Sequence, residues 1–294
     1  MIDLKDMQCL AALARHHHFA KAADACGVSQ PAFSMRIRSM EERLGVKVVR
    51  RGNRFQGFTP DGERIVEHAR RILDDVKALE QDVRTGRGEI TGNLTLGVVP
   101  TAAAPAAHMA KRLKDAHPGI TVRIETTTSL LVQQGVIDGK FDAGLTYVEG
   151  VEADLLTADP LFDETYVLLA PSDMVPGQSD AMSWADAASL RLCLLHSEMQ
   201  NRRILDGVFR DLGLSPKVVA ETSTHSAALV MAVEGLAATV VPKELVEKLG
   251  PFRGTTVFDL IEPDVAKTVG LVTPRRAKGL SVLDALKAVA LTPE

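Results

Sequence analysis

Residues 19–45 read FAKAADACGVSQPAFSMRIRSMEERLG, and this stretch decides how the N-terminal part of the chain folds. Two segments with helical spacing flank Gly27, where a left-handed turn disfavours a Cβ. Ser29 can cap the second segment, and Pro31 follows in its first turn. Two short helices joined by a tight glycine turn predict a helix-turn-helix, the motif that lays its second helix in the major groove of DNA.

The second helix of this motif has an apolar face and a polar face. Its apolar residues Phe33, Ile37 and Met40 recur at steps of four and three. The opposite face carries Gln30, Ser34 and Arg38. Glutamine can pair with a base edge, serine can reach a base or a phosphate, and arginine neutralises phosphate. The polar face is therefore predicted to contact DNA.

Three consecutive histidines, His16 to His18, precede the motif and raise the alternative of a metal site with Cys26. Adjacent histidines point in different directions on a helix, and Cys26 falls on the buried side. His18 stands where the helix needs a cap. We therefore expect no metal and no cofactor.

Composition and charge describe the chain as a whole. It has 294 residues, of which 46% are hydrophobic, and no apolar run has the length of a membrane span. The N-terminus lacks the order of a signal peptide, so we expect a cytoplasmic protein with free thiols at Cys9, Cys26 and Cys193. Residues 1–90 hold 16 of the 34 basic and 13 of the 38 acidic side chains. This asymmetry indicates an anion-binding head on an acidic body.

A long helix is predicted to start at Thr59-Pro60, a hydroxyl cap followed by a proline. Its apolar residues follow a heptad seam, which favours a coiled-coil dimer over a helix packed on its own domain. The dimerisation residues predicted from this seam are Ile65, Ile72, Val76 and Leu79. A glycine-rich linker, TGRGEITGN, follows at 85–93.

From Asn93 onward, strand-like and helix-like segments alternate, which predicts α/β units on largely parallel sheets. About 200 residues suffice for two such subdomains. The predicted domains are a DNA-binding head, a linker helix with its hinge, and a two-part body: 1–58, 59–92 and 93–294, the last divided into 93–163 plus 267–294 and 164–266.

Residues 19–62 resemble the LysR-type transcriptional regulators, and the resemblance runs the full length of the chain. The matching motifs are an Ala-Ala pair, Ser-Gln-Pro at the recognition helix, Ile-Arg then Glu, Leu-Gly, a basic wing and Thr-Pro-x-Gly. The resemblance implies an α/β protein with a winged helix-turn-helix head, a dimerising linker helix, and a two-lobed effector domain like periplasmic binding proteins. It also implies operator DNA, a small effector and further copies of the chain as partners, with RNA polymerase as another contact.

The DNA-binding residues implied by the resemblance lie on the recognition helix and the wing. The base-reading positions fall on Gln30, Pro31 and Ser34, and the phosphate-contacting wing falls on Arg51 and Arg54. Two departures matter: Met35 stands where many members have an arginine, and His18 stands where the usual residue is serine. The complete predicted interface is Ser29, Gln30, Pro31, Ser34, Arg36, Arg38, Arg51 and Arg54.

The effector cleft is predicted at strand-to-helix turns, where free helix N–H groups attract anions. Its residues are Thr101, Thr128, Ser129, His196, Gln200, Asn201 and Thr224. This set is rich in hydroxyls and amides, which favours a small polar or anionic metabolite. AGLTY together with MQNRRI resembles the subgroup that regulates formate dehydrogenase operons, which implies formate or another small carboxylate. Peroxide-sensing members carry a reactive cysteine in the turn where HSEMQNRR has none. A redox role for Cys193 is the alternative.

Two other classes of protein compete with a transcription factor. A solute receptor for transport would explain the body but not the DNA-binding head. A hydrolase would need a catalytic motif, and neither G-x-S-x-G nor H-E-x-x-H occurs. We therefore expect no enzyme activity and no catalytic residues.

Overall fold

The N-terminal head is a three-helix unit. The structure, a computed structural model, describes residues 2–50, 55–85, 90–175, 180–275 and 281–292. Helices α1 (Leu4–His16), α2 (Phe19–Ala25) and α3 (Gln30–Leu44) pack around a common core. Phe33, Ile37 and Met40 are buried there, as their spacing predicts, and Gly27 takes the left-handed turn between α2 and α3 with φ 65°.

A minimal wing follows α3. Val49 pairs with Phe58 in an antiparallel bridge, and the amide of Arg50 donates to the carbonyl of Gly57. Helix α4 (Pro60–Thr85) then begins, its first turn capped by the Thr59 hydroxyl, which accepts from the Gly62 amide at 2.9 Å. A Cβ on Gly62 would lie 2.0 Å from the carbonyl oxygen of Val48, so only glycine lets α4 approach the wing.

The wing is held by the carboxylate of Glu41, which is buried in the head. Its Oε1 accepts from the amides of Val48 and Val49 at 2.8 and 3.1 Å, and its Oε2 accepts from the Lys47 ammonium at 3.2 Å. Burial raises the pKa of Glu41, but the bonds from Val49, Val48 and Lys47 outweigh it and hold the pKa below its usual value.

The first lobe of the body is an α/β unit. Its elements in chain order are β1 (Gly92–Val98), a 3₁₀ turn (Pro100–Ala102), α5 (Ala103–Ala116), β2 (Ile120–Thr126), α6 (Ser129–Ile137) and β3 (Ala143–Tyr147). Strands β2 and β3 both pair parallel with β1, and α5 and α6 cover the sheet.

The second lobe begins partway along a long strand, β4 (Leu156–Pro171). The remaining elements are β5 (Ala181–Ser183), α7 (Trp184–Ser189), β6 (Arg191–Leu195), α8 (Gln200–Asp211), β7 (Lys217–Thr222), α9 (His225–Val233), β8 (Thr239–Pro242), α10 (Lys243–Leu249), β9 (Thr255–Ile261), β10 (Ala266–Pro274) and α11 (Ser281–Leu291). Helix α11 returns to the first lobe, where Val282, Leu283 and Leu286 are buried.

Strand β4 belongs to both lobes. Residues 156–165 pair with β10 in the first lobe, and residues 166–171 pair with β8 and β9 in the second. Because β4 pairs antiparallel with all three partners, the sheets are mixed rather than largely parallel as the alternation predicts. The sequence pattern also misses β9 and β10, whose apolar residues follow no clean alternation.

The head contacts the first lobe at the C-terminal end of α6. The Arg70 guanidinium on α4 pairs with the Asp138 carboxylate at 2.5 Å, and both side chains are largely buried. The Arg15 guanidinium at the end of α1 donates to the carbonyl oxygen of Gly139 at 2.5 Å. Helix α6 thus reaches from the body to the head within one chain.

Within the described residues, no helix is both long and apolar enough to cross a membrane. The domain boundaries drawn from the sequence stay a prediction. The buried residues group into one head core, one first-lobe core and one main second-lobe core, besides smaller clusters.

Replacing Glu41 by alanine should destabilise the head, because the amides of Val48 and Val49 would be left buried without an acceptor. We expect the free energy of unfolding of this unit to fall by about 3 kcal/mol near neutral pH. Below the lowered pKa of Glu41 the loss should shrink, since the parent carboxylate is then protonated as well.

Urea denaturation followed by circular dichroism measures this loss. Glu42→Ala, at the exposed neighbouring position, is the matched control and should change little. Equal stabilities for the two variants would contradict the role given to Glu41.

Candidate functional site

The recognition helix α3 presents an exposed polar face. Gln30, Pro31 and Arg38 are exposed, and Ser34 is half-buried between them. The Ser29 hydroxyl accepts from the Ala32 amide at 3.4 Å and caps the helix. Gln30 lies on nearly the same side of the helix as Ile37 but at its first turn, and the exposure of these side chains leaves them free to reach a groove of DNA.

Arg36 forms ion pairs within the head itself. Its guanidinium binds the carboxylates of Asp3 and Asp6 at 3.0 and 2.9 Å, and Arg43 also reaches Asp6 at 2.6 Å. Because Asp6 is buried, its charge needs these partners. A phosphate contact by Arg36 would compete with this network. The wing residues Arg51 and Arg54 lie outside the described residues.

His18 is the cap of α2. Its Nδ1 accepts from the amides of Ala20 and Lys21 at 3.2 and 3.5 Å. The imidazole therefore performs the role of the serine usual at this position. Within the part of the chain that the structure describes, no three His, Cys, Asp or Glu side chains are grouped to hold a metal ion.

Some apolar residues of helix α4 pack in the head core, whereas most of the predicted seam lies outside it. Val66 and Ala69 are buried in the head, with Ile65 and Leu73 packed beside them. Ile72 and Leu79 instead remain 41% and 64% exposed, and Val76 between them is half-buried. Three of the four seam residues thus form an apolar stripe outside the head core, whereas Ile65 contributes mainly to that core.

The two lobes meet at a small cavity between the 3₁₀ turn, α6 and α8. Five of the seven predicted effector residues line it: Thr101, Thr128, Ser129, Gln200 and Asn201. The cavity measures about 10 Å³, which is close to the minimum that holds one water. Larger ligands require the lobes to separate.

The polar groups of this cavity come from helix starts on opposite lobes. Thr128 caps α6, and the Ser129 hydroxyl is 2.7 Å from the Thr146 hydroxyl. Across the cavity, α8 starts without a side-chain cap, so its first amides remain available to an anion. Asn201 is 4% exposed, and neither its Oδ1 nor its Nδ2 has a hydrogen-bond partner.

Two predicted effector residues lie away from the cavity. His196 and Thr224 are exposed, and neither lines it; Thr224 caps α9 through the amide of Ala227. The next residue, His225, is buried with both ring nitrogens unpartnered, and burial lowers its pKa to about 4. No sequence pattern identifies His225.

A buried hydrogen-bond network lies beside the cavity. The Tyr147 and Tyr166 hydroxyls both donate to Oε1 of Glu164, at 2.8 and 2.7 Å, and the Thr101 hydroxyl lies 3.2 Å from that of Tyr147. Burial raises the pKa of Glu164. Tyr147 lines the cavity from the end of β3, and the sequence predicts neither Tyr147 nor Glu164 as a site residue.

Cys193 is a core residue. It is fully buried, and its Sγ lies 3.3 Å from the Sδ of Met231. Burial raises the pKa of its thiol, which lowers the fraction of reactive thiolate. The geometry gives this thiol no access to an oxidant from solvent.

The chain matches two family descriptions. Residues 4–63 match the bacterial regulatory helix-turn-helix protein of the lysR family, and residues 87–292 match the LysR substrate binding domain. The DNA-binding transcriptional dual regulator OxyR of Escherichia coli (strain K12) is 28% identical over 98% of this chain and 95% of its own length. A probable hydrogen peroxide-inducible genes activator of Streptomyces viridosporus is 33% identical over 83% of this chain and 79% of its own length.

Solved structures share the fold along the whole chain. A full-length OxyR variant from Pseudomonas aeruginosa has a TM-score of 0.77 at 23% identity, covering 100% of this chain and 99% of that one. Full-length CbnR in complex with its target DNA has a TM-score of 0.61 at 19% identity, covering 98% and 99%.

Aspartates at both Ile72 and Leu79 should disrupt the apolar stripe on α4. If two copies pair along this stripe, each substitution loses about 1.5–3 kcal/mol of burial in each protomer and adds like charges. We expect dimer affinity to fall by at least about 100-fold, measured by sedimentation velocity over a range of protein concentrations.

Leu249→Asp is the matched control, because Leu249 is an exposed leucine, 58% accessible, at the end of α10. Its sedimentation should match that of the parent protein. An unchanged oligomer in the double variant would show that the stripe is not the dimer seam.

Proposed function

The chain belongs to the LysR family of bacterial DNA-binding transcriptional regulators, and we propose that it couples operator binding to a small polar or anionic metabolite held between its lobes. The head would read the operator with Gln30, Pro31 and Ser34, and Arg38 would contact phosphate. The exposure of these side chains on α3 supports this assignment.

One observation carries the effector proposal: the buried amide of Asn201, which lines the interlobe cavity with both polar atoms unpartnered. Burying an amide without hydrogen-bond partners costs about 1–3 kcal/mol. A ligand that hydrogen-bonds to Asn201 removes this cost, which favours the ligand-bound form over an empty, closed cleft. Thr128 and Ser129 offer hydroxyls and α6 amides from the opposite lobe. These donors suit an anion or a small polar molecule.

The size of the cavity narrows the effector class further. A space of about 10 Å³ in the closed arrangement admits only a very small molecule without lobe separation. Formate, or another carboxylate of a few atoms, is larger than one water and so requires some separation of the lobes, but it requires the least opening among carboxylates and suits the donor set. Wider lobe opening would be needed for an aromatic acid.

Peroxide is the second candidate effector, because several relatives are named hydrogen peroxide-inducible genes activators. A cysteine-based response is disfavoured in this chain, since residues 196–203 contain no cysteine and Cys193 is buried against Met231. Hydrogen peroxide bound without reaction would use the same cavity as a small anion. Titration of the protein with each compound distinguishes a small anion from hydrogen peroxide as the effector.

Self-association through the body is part of the proposal. Leu130 and Leu131 on α6 are 72% and 55% exposed, and Val230 on α9 is 59% exposed. Apolar faces on both lobes suit an interface between effector domains, in addition to the α4 stripe. We propose dimers that associate into dimers of dimers.

Gln30→Ala tests the DNA-reading assignment. Loss of a bidentate base contact should weaken operator binding by about 1–3 kcal/mol and leave random DNA nearly unaffected. Arg38→Ala is the comparison, because losing a phosphate contact should weaken binding to both DNAs and flatten the salt dependence by about one counterion unit. Filter binding over a salt series measures both. Equal losses on operator and random DNA for Gln30→Ala would remove it from the base-reading set.

Thr128→Val and Asn201→Leu test the cavity. Both should abolish the change in DNase footprint that the effector causes, while operator binding itself is retained. Asn201→Leu should also raise the free energy of unfolding by about 1 kcal/mol, because it removes an unsatisfied buried amide. Formate, acetate and hydrogen peroxide are each titrated over the same concentration range.

Thr224→Val is the matched control for Thr128→Val, since it removes a helix cap of the same kind outside the cavity. It should respond to the effector like the parent protein. A normal response in both Thr128→Val and Asn201→Leu would place the effector elsewhere.

A further inference from the structure

A second cavity lies at the hinge between the lobes, on the other side of Thr101 from the effector cavity. It measures about 280 Å³ and is formed by the crossover segment of β4 and the start of α10. Glu164 lines it from the point where β4 changes partners. Glu164 is 4% exposed, and its Oε2 has no hydrogen-bond partner, because both tyrosine hydroxyls bond to Oε1.

The walls of this hinge cavity are acidic. Asp163, Glu244 and Glu247 line it together with Glu164. The one basic residue of the lining is Lys243, and its ammonium is already paired with Asp259 outside the cavity at 2.7 Å. Burial also raises the pKa of Glu244, which shows that its carboxyl lies in a poorly solvated place.

We propose that the hinge cavity binds a small organic cation, a primary alkyl ammonium whose nitrogen donates to the Glu164 carboxylate after a small shift of that side chain brings the buried Oε2 to the cavity. The cavity would supply further carboxylates around the charge, and Phe162 and Pro242 would contact the alkyl carbons. A ring beside a cation adds a favourable electrostatic contact. This site goes beyond the effector proposal, because it involves a different cavity and the opposite ligand charge.

Other ligand classes fit less well. An anion would meet four carboxyl groups, and like charges at short range repel strongly where solvent is scarce. A metal ion needs several ligands at fixed distances, and the described residues contain no group of three His, Cys, Asp or Glu that could hold one. A neutral alcohol could bond to Glu164 but would leave the remaining acidic charge uncompensated.

Binding of an ammonium group is coupled to the protonation of Glu164. Burial favours the neutral carboxyl and raises its pKa, although the hydroxyls of Tyr166 and Tyr147 oppose this. Among the other titratable groups, Glu244 on α10 raises that pKa further, and Asp163, Lys243 and Glu247 also line the cavity. Lys248, Glu247 and His108 on α5 act in turn on Glu244. An ammonium stabilises the ionised carboxylate, so binding releases a proton and affinity rises with pH.

The hinge cavity and the effector cavity share a hydrogen-bonded wall. Thr101 lines both, and its hydroxyl lies 3.2 Å from that of Tyr147, which donates to Glu164. Ionisation of Glu164 strengthens the bonds from both tyrosines, because a charged acceptor binds more strongly than a neutral one. Tyr147 lies on β3 of the first lobe, and Tyr166 lies on the part of β4 that pairs within the second. A bound cation would therefore tighten the link between the lobes.

Calorimetric titration of the protein with 1-aminopropane tests the proposal, with 1-propanol and propionate as probes of equal size. Ionic strength is held constant with sodium chloride. We expect saturable binding of the amine only, with affinity rising by up to about tenfold per pH unit below the pKa of Glu164. Equal heats for the amine and the alcohol would overturn the proposal, and so would an affinity that does not rise at all between about pH 4.5, the ordinary pKa of a glutamate, and pH 8. This comparison needs no variant.

Glu164→Gln then locates the site. It keeps the shape of the side chain and removes its charge, so amine affinity should fall at least tenfold. Glu152→Gln, an exposed acid outside the cavity, is the matched control and should bind the amine like the parent protein. Unchanged binding in a folded Glu164→Gln protein would overturn the assignment, and so would stabilisation by magnesium chloride equal to that by the amine.

Discussion

The two lobes share one strand, and the rest of the molecule is arranged around that constraint. Because β4 is continuous from Leu156 to Pro171, any rotation between the lobes is absorbed where its partners change, next to Thr165 and Tyr166. Glu164 lies at that place and accepts one hydrogen bond from a tyrosine hydroxyl of each lobe. A buried hydrogen-bond network is costly when some of its groups lack partners and rigid when all of them have partners. Glu164 therefore restrains the relative position of the two lobes, and its own hydrogen bonds depend on that position.

Helix α6 connects the interlobe cavity physically to the head. Its N-terminus lies at the effector cavity with Thr128, and its C-terminus ends at Asp138, which pairs with Arg70 of α4. The pair is largely buried, so separating it would leave charges poorly solvated. A shift of α6 that followed ligand binding would therefore move α4 with it rather than break the contact. A ligand can drive such a shift only by its differential affinity for the two arrangements.

Sequence patterns predict the head more fully than the body. Local rules suffice for the recognition helix, since the cap Ser29, the turn at Gly27 and the apolar steps from Phe33 all act within one or two turns. The strand-to-helix turns are also local, which is why Thr128 and Asn201 are placed by the sequence at helix starts that the structure brings to one cavity; their role in effector binding stays a prediction. Glu164 is missed because its environment depends on two tyrosines and a strand exchange far apart in the chain. The ion pairs of Arg36 are missed because its partners Asp3 and Asp6 belong to the start of another helix, and its contact with DNA stays a prediction.

The chain keeps the architecture of its relatives, but its Cys193 does not have the environment of a reactive thiol. A reactive cysteine needs exposure and a lowered pKa, and Cys193 has neither. The interlobe cavity instead carries hydroxyls, the uncapped amides of α8 and the unpartnered Asn201, which are groups that bind a ligand reversibly through hydrogen bonds. Reversible coupling of this kind is typically worth about 1–3 kcal/mol, comparable to satisfying one buried amide.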